Sequence, residues 1–188
     1  RPTIRNLLNL ATKPAWCLDM LGTRRRSFGN VVGHVKGVED MSSLSAWVAE
    51  QFDLTLSWDD VAWIRSLWPR KLVLKGIMDE EDARHAVAVG ADAIVVSNHG
   101  GRQLDGAPST ISALPRIVGA VGEEIEVLMD GGVRSGQDVL KAVASGAKGV
   151  LLGRAFVYGL GAGGEGGVTK ALELIRNELD LTMAFCGH

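Results

Sequence analysis

From Lys71 onward, short apolar runs alternate with polar stretches of helical character. Four runs stand out: Leu72-Val73-Leu74, Ala93-Ile94-Val95-Val96, Val127-Leu128-Met129 and Gly149-Val150-Leu151-Leu152. Each is continuously apolar rather than alternating, the pattern of a strand covered on both faces of a parallel sheet. Each is followed at once by a polar or glycine cluster: Lys75-Gly76, Ser97-Asn98-His99-Gly100-Gly101-Arg102, Asp130-Gly131-Gly132-Val133-Arg134 and Gly153-Arg154. Helical patterns separate the runs. One opens at Asp79 or Glu80 and ends at Gly90, and another opens at Ser135 and ends at Gly146.

The first 70 residues are less regular. Ile4, Leu7, Leu8 and Ala11 fall at helical spacing, and Pro14 interrupts before Trp16-Cys17-Leu18-Asp19-Met20-Leu21. Arg24-Arg25-Arg26 and the stretch to Gly37 read as an irregular loop. Ser42 or Ser43 is expected to cap a helix over 44–52. Ser57, with Asp60 three positions later, is placed like a capping box for a helix over 58–67. Trp47, Trp58, Trp63 and Trp68 are expected to pack with their ring N–H groups near the surface.

An internal repeat supports this parse. Asp82, Ala86, Val87, Ala88, Gly90 and Ala91 match Asp138, Ala142, Val143, Ala144, Gly146 and Ala147 at a constant offset of 56 residues. The offset spans two strand–helix units, so one helix–turn–strand module is used at alternate positions. The fold class is therefore α/β, either a (β/α)8 TIM barrel or a doubly wound sheet. The barrel is preferred because polar chemistry follows every strand, and no G-x-G-x-x-G follows an early strand.

Composition narrows the function. Hydrophobic residues make up 46% of the 188, enough for a folded core, and the net charge of −2 argues against a nucleic-acid scaffold. Cys17 and Cys186 stand at opposite ends and make no disulfide framework, which favours a reducing, cytoplasmic compartment. No apolar run approaches the ~20 residues that span a bilayer. The tryptophan-bearing, arginine-rich segment near residues 14–28 suits peripheral contact with an anionic membrane surface. The chain opens on Arg1, not Met, and is expected to be a piece of something longer.

The strand ends carry the candidate chemistry. Lys75 offers a fixed positive charge suited to a developing anion. His99 exchanges protons near neutral pH, and Arg102 presents a fork that grips a carboxylate with two parallel hydrogen bonds. A base and a carboxylate clamp three residues apart suit a hydroxy- or keto-acid. His34, His85 and His188 read as structural, and Asp105 as a loop anchor. Gly131, Gly132, Val133, Arg134, Gly153 and Arg154 resemble a phosphate site at the last two strand ends of a barrel, with Asp130 suited to neighbouring hydroxyls. No metal-ligand spacing, nucleophile elbow or Walker loop is present.

Together, Leu74-Lys75-Gly76, the stretch from Ser97 to Asp105, Asp130-Gly131-Gly132-Val133-Arg134 and Leu152-Gly153-Arg154 resemble the FMN-dependent 2-hydroxy-acid dehydrogenase/oxidase family, over essentially the whole chain. The resemblance implies a (β/α)8 barrel of which residues 1–188 supply strands five to eight. It implies FMN as cofactor, His99 as catalytic base and Arg102 as the ligand of the substrate carboxylate. Lys75 and Ser97 would lie near the flavin ring and Asp130 at the ribityl chain. Residues Gly131 to Arg134, Gly153 and Arg154 would hold the phosphate. The implied reaction turns a lactate- or mandelate-like L-2-hydroxy acid into its 2-keto acid.

The family's barrel needs four earlier strands, which supply a substrate-contacting tyrosine, the aspartate that orients the histidine and a second arginine. Tyr158, the one tyrosine, follows the last strand and does not suit that role. The N-terminal half is therefore expected as a companion chain or a missing segment, and the assembly as a homo-oligomer. Two other readings remain open from the residues alone: a phosphate-binding barrel isomerase or synthase without redox chemistry, and an inactive fragment.

Overall fold

Branched apolar side chains favour extended backbone, and the four apolar runs become the four strands of one parallel sheet. In the computed structural model these are β1 (Val73–Ile77), β2 (Ala93–Val96), β3 (Glu126–Met129) and β4 (Gly149–Val150), ordered β1-β2-β3-β4. The model describes residues 3–23, 31, 35, 41–51 and 53–188, which fall into two compact units, Arg1–Leu56 and Ser57–His188. The sheet lies in the second unit.

Strand order agrees with a barrel wall. A doubly wound sheet reverses direction at a switch point, whereas here each strand adds to the same side of the one before, as in a barrel wall. Every crossover is helical: α5 (Glu80–Ala88), α6 (Thr110–Val121) and α7 (Gly136–Ala144) join successive strands. Ala83 and Ala86 of α5, Leu114 and Ile117 of α6 and Ala142 of α7 close one core over Ile94, Val96, Val127 and Met129. All of these are less than 3% exposed, so the helix layer seals that face of the sheet. The outer edges of β1 and β4 have no strand partner among the described residues. The sheet is part of a (β/α)8 barrel.

Local chemistry starts the helices where the pattern predicts. Asp79 accepts the Glu81 N–H at 2.8 Å to open α5, and Ser135 accepts the Asp138 N–H at 3.2 Å to open α7. Asp60 accepts both the N–H and the hydroxyl of Ser57 at 2.8 Å, starting α4 (Trp58–Leu67). His85 packs its ring against Trp58 at 5.3 Å between centroids, the structural role expected of it. Trp68 donates its ring N–H to the Lys71 carbonyl at 2.9 Å, but Trp63 is 62% exposed rather than packed.

At the base of the sheet, Asp92 joins the starts of β1 and β2. Its carboxylate meets Lys71 Nζ at 2.7 Å and Arg65 Nη1 at 3.2 Å, and accepts the Leu72 N–H at 2.9 Å. The Lys71 hydrogen bond, then the Leu72 N–H, hold Asp92 below the ordinary aspartate range, and Asp92 in turn raises Lys71.

Three expectations need correction. Lys75 does not end β1: a bulge at Gly76 lets the strand run on to Ile77, so Lys75 stands in its middle. The expected run at 149–152 shortens to two residues, because the chain turns at Gly153 into α8 (Arg154–Phe185). The helix expected over 44–52 is α3 (Met41–Glu50), so Ser42 and Ser43 lie inside its first turn. The helix penalty of serine is small enough for its neighbours to override.

Two further elements carry no strong pattern. In α8 the backbone leaves helical geometry at Gly163 and Gly164, giving two helical segments. These press together where Gly159 meets Gly167, and the second also packs on the start of α7, where Glu178 accepts the Gly136 N–H at 3.0 Å. In the first unit, α1 (Ile4–Ala11) is capped by Thr3, and α2 (Pro14–Gly22) has proline at its first position. Ile4, Leu8, Leu18 and Leu21 are all exposed there. The arginine triplet, His34 and Phe52 lie outside the described residues.

Candidate active site

The carboxyl ends of the four strands open onto one cleft of about 1280 Å³. Its lining contains Lys75, His99, Arg102, Asp130, Gly131, Gly132, Val133, Arg134, Gly153 and Arg154. Ser97, 1% exposed, lies beneath it and ties two strands' chemistry together. Its hydroxyl accepts from Lys75 Nζ at 2.9 Å and from the His99 N–H at 3.2 Å. Lys75 Nζ also stands 2.9 Å from Asp130 Oδ2. The cation is therefore fixed between two acceptors rather than free to extend into solvent.

The other oxygen of that carboxylate is the site's most informative atom. Asp130 Oδ1 is buried and accepts no hydrogen bond among the described residues. A buried acceptor without a donor costs about 1–3 kcal/mol, so native structures rarely leave one unless a ligand or water completes it.

The turn after β2 is built to expose an imidazole. Asn98 accepts the Gly100 N–H at 3.0 Å and donates to the Pro108 carbonyl at 3.1 Å. Between these anchors His99 takes a left-handed φ of 57°, uncommon for a side chain of its size. Its ring leans over the β1 bulge, with Cε1 3.0 Å from where a Cβ would stand on Gly76. Arg102, exposed in the cleft, follows directly, its N–H donating to the His99 carbonyl at 3.4 Å.

The turn after β3 forms a cradle. Gly131 and Gly132 have φ of 87° and 81°, and a Cβ on Gly131 would stand 3.1 Å from both Asn98 Oδ1 and Thr110 Oγ1. Only glycine fits that approach. Gly132 and Gly153, by contrast, face open space. Val133 borders the cleft but turns its side chain into the core, so it has only backbone to offer. Arg154 Nη2 donates to the Gly100 carbonyl at 3.3 Å, linking the last strand end to the histidine turn. Asp138 accepts the N–H groups of Arg134 at 2.9 Å and Ser135 at 3.0 Å. Partial burial opposes its ionisation, but these N–H donors, the Ser135 hydroxyl and the Lys141 charge outweigh that and hold it below the ordinary aspartate range.

The model of the family described as FMN-dependent dehydrogenase matches residues 1–188. The chain belongs to that family. An L-lactate dehydrogenase of Caulobacter vibrioides is 49% identical over 185 residues, covering 97% of this chain and 48% of that protein. One from Pseudomonas aeruginosa is 48% identical with the same coverage. Among solved structures, the monotopic membrane protein (S)-mandelate dehydrogenase superposes with a TM-score of 0.88 at 38% identity, covering 98% of this chain and 48% of that one. A mandelate oxidase crystallised with benzoyl-formic acid gives 0.66 at 52% identity, covering 69% and 38%. The chain thus spans about half the length of the FMN-dependent dehydrogenases it matches. No helix among its described residues is long and apolar enough to cross a membrane.

Pattern alone does not single out Thr110, Asn98 or Asp138. Thr110 is 2% exposed and donates to the Gly131 carbonyl at 3.2 Å, 21 positions along the chain. The available signal for Asn98 and Asp138 was local: an Asn before His-Gly-Gly, and a Ser-x-x-Asp box after the glycine turn.

Proposed function

We propose that this chain forms strands five to eight of a flavoenzyme that oxidises an L-2-hydroxy acid, lactate- or mandelate-like, to the 2-keto acid. Residues 1–188 are then the C-terminal part of a single barrel domain, completed by an N-terminal half as a preceding segment or companion chain. The observation that carries this reading is the pairing, in one cleft, of an exposed imidazole with a fixed cation and a buried carboxylate oxygen that lacks a donor.

FMN fits this donor set. Asp130 Oδ1 suits a ribityl hydroxyl, which would supply its missing donor. Gly131, Gly132, Val133 and Gly153 offer backbone, and Arg134 and Arg154 positive charge, to the phosphate. The first N–H groups of α8, uncapped by any side chain at Gly153, add to that anion site. Lys75 and Ser97 lie beside the flavin ring in this reading. FMN held there would supply a two-electron acceptor for oxidation at the substrate's hydroxyl-bearing carbon.

The chain's own residues do the rest. Arg102 grips the carboxylate and so fixes which face and which hydrogen of the substrate meet the reaction centre. His99 takes a proton from the substrate, help typically worth ~10²–10⁴-fold. Lys75, held by Ser97 and Asp130, sets positive charge where negative charge develops. We place the enzyme in the cytoplasm, peripheral to the membrane, as a homo-oligomer. The exposed apolar residues of α1 and α2 and the monotopic relative support membrane contact.

Purified protein containing the whole barrel is expected to show oxidised-flavin absorbance that bleaches anaerobically with L-lactate or (S)-mandelate. A folded, colourless preparation indifferent to added FMN would refute the proposal.

A further inference from the structure

The bulge in β1 falls beside the imidazole. The β1–β2 ladder pairs Val73 with Ala93, Leu74 with Ile94 and Lys75 with Val95, then skips Gly76 and resumes with Ile77 opposite Val96. Gly76, at φ 104°, is the extra residue. Among the described residues outside its chain neighbours, a Cβ built there would meet two atoms within 4 Å, His99 Cε1 at 3.0 Å and Nε2 at 3.5 Å. The space kept clear by the missing side chain is therefore the space that the imidazole uses.

We propose that Gly76 is a positioning residue for His99: the bulge, together with the missing side chain, forms a seat that sets where the imidazole points into the cleft. The backbone of His99 is already fixed from its own turn, through its N–H to Ser97 Oγ and its carbonyl to the Arg102 N–H. What remains free is the ring, and β1 supplies the surface it rests on. Lys75, the residue before the bulge, lines the same cleft as the ring, and its Nζ shares the Ser97 hydroxyl with the backbone N–H of His99. A methyl group at Gly76 would be closer to Cε1 than a carbon–carbon contact tolerates and would displace the ring by a few tenths of an ångström or more. Misplacing a reacting group on the ångström scale costs up to about 100-fold in rate.

The catalytic part of this proposal rests on His99 being the base, whereas the seat itself does not. Glycine is also required at φ 104° for backbone reasons alone, so the test separates strain from contact. In the flavin-loaded enzyme, Gly76→Ala is expected to lower kcat at least about 10-fold, with KM within about threefold and flavin content unchanged. The drop in Tm caused by Gly76→Ala is then measured in two backgrounds, native and His99→Ala. A seat predicts a smaller drop when the ring is absent; a bulge that merely needs glycine predicts equal drops. Should Gly76→Ala fail to fold, the double variant decides: recovery of folded flavoprotein supports the seat, and continued failure overturns it. Unchanged kcat in Gly76→Ala likewise overturns the positioning role. If His99→Ala alone keeps full turnover, the base assignment falls, while the coupling in Tm still reports on the seat.

Discussion

Asp138 is where stability and the proposed FMN cradle meet. Replacing it with alanine removes the acceptor of the Arg134 and Ser135 N–H groups, at 2.9 and 3.0 Å, and with it the reciprocal box that starts α7. The Ser135 hydroxyl still accepts the N–H of residue 138, so the loss is that of the two N–H acceptors, about 1–2 kcal/mol at this partly exposed carboxylate. The whole barrel is about twice this chain's length, so each kcal/mol moves Tm by roughly 1–2 °C and a fall of about 1–4 °C is expected at neutral pH. The sign of the pH dependence follows from the depressed pKa. The native carboxyl titrates below its unfolded value, so its contribution is complete above the unfolded aspartate range and disappears as pH falls through the folded value. Thermal unfolding of the flavin-loaded protein and of Asp138→Ala, followed from pH 7 downward by circular dichroism, should give two Tm curves that converge in acid. The variant should also bind FMN more weakly, because the turn carrying Gly131, Gly132 and Arg134 loses its anchor. Equal Tm values at neutral pH, or a gap that stays constant into acid, would refute this account.

Two more substitutions probe other parts of the structure. Arg102→Met should raise KM for the hydroxy acid far more than it weakens FMN binding, measured by steady-state kinetics and flavin titration; equal losses would remove the clamp assignment. Gly159→Val would drive a side chain into the Gly167 carbonyl, 2.5 Å from the first added carbon, and should cost about 1–3 kcal/mol in thermal unfolding. Gly161→Ala, two positions along with nothing within 4 Å, should instead be neutral or stabilise by up to about 1 kcal/mol.

The parts of the fold readable from sequence are those whose cause is local. Buried parallel strands need unbroken apolar runs, and β2 at Ala93–Val96 shows one bounded by its own helix and turn. The Ser57–Asp60 box announces its helix within four residues, and Ser135 marks the start of α7. Lys75 was misplaced because a bulge is a property of two strands: only the ladder with β2 reveals that Gly76 is passed over. Thr110 and Glu178 are invisible to any window, since each reaches a partner 21 or 42 positions away. The purpose of the glycines of α8 appears only when Gly159 and Gly167 meet. At the site, the residue types at the strand ends signalled their chemistry, but the idle oxygen of Asp130 and the seat beneath His99 required coordinates.

The sheet separates its obligations by strand end. Asp92, Lys71 and Arg65 fasten the entries of β1 and β2, while the cleft lies at the exits, so no side chain serves both. For an evolving lineage this means that heat tolerance and substrate range can be tuned at opposite poles of the same strands. A change at the rim can be tried without loosening the base, and a tighter base leaves the cleft untouched.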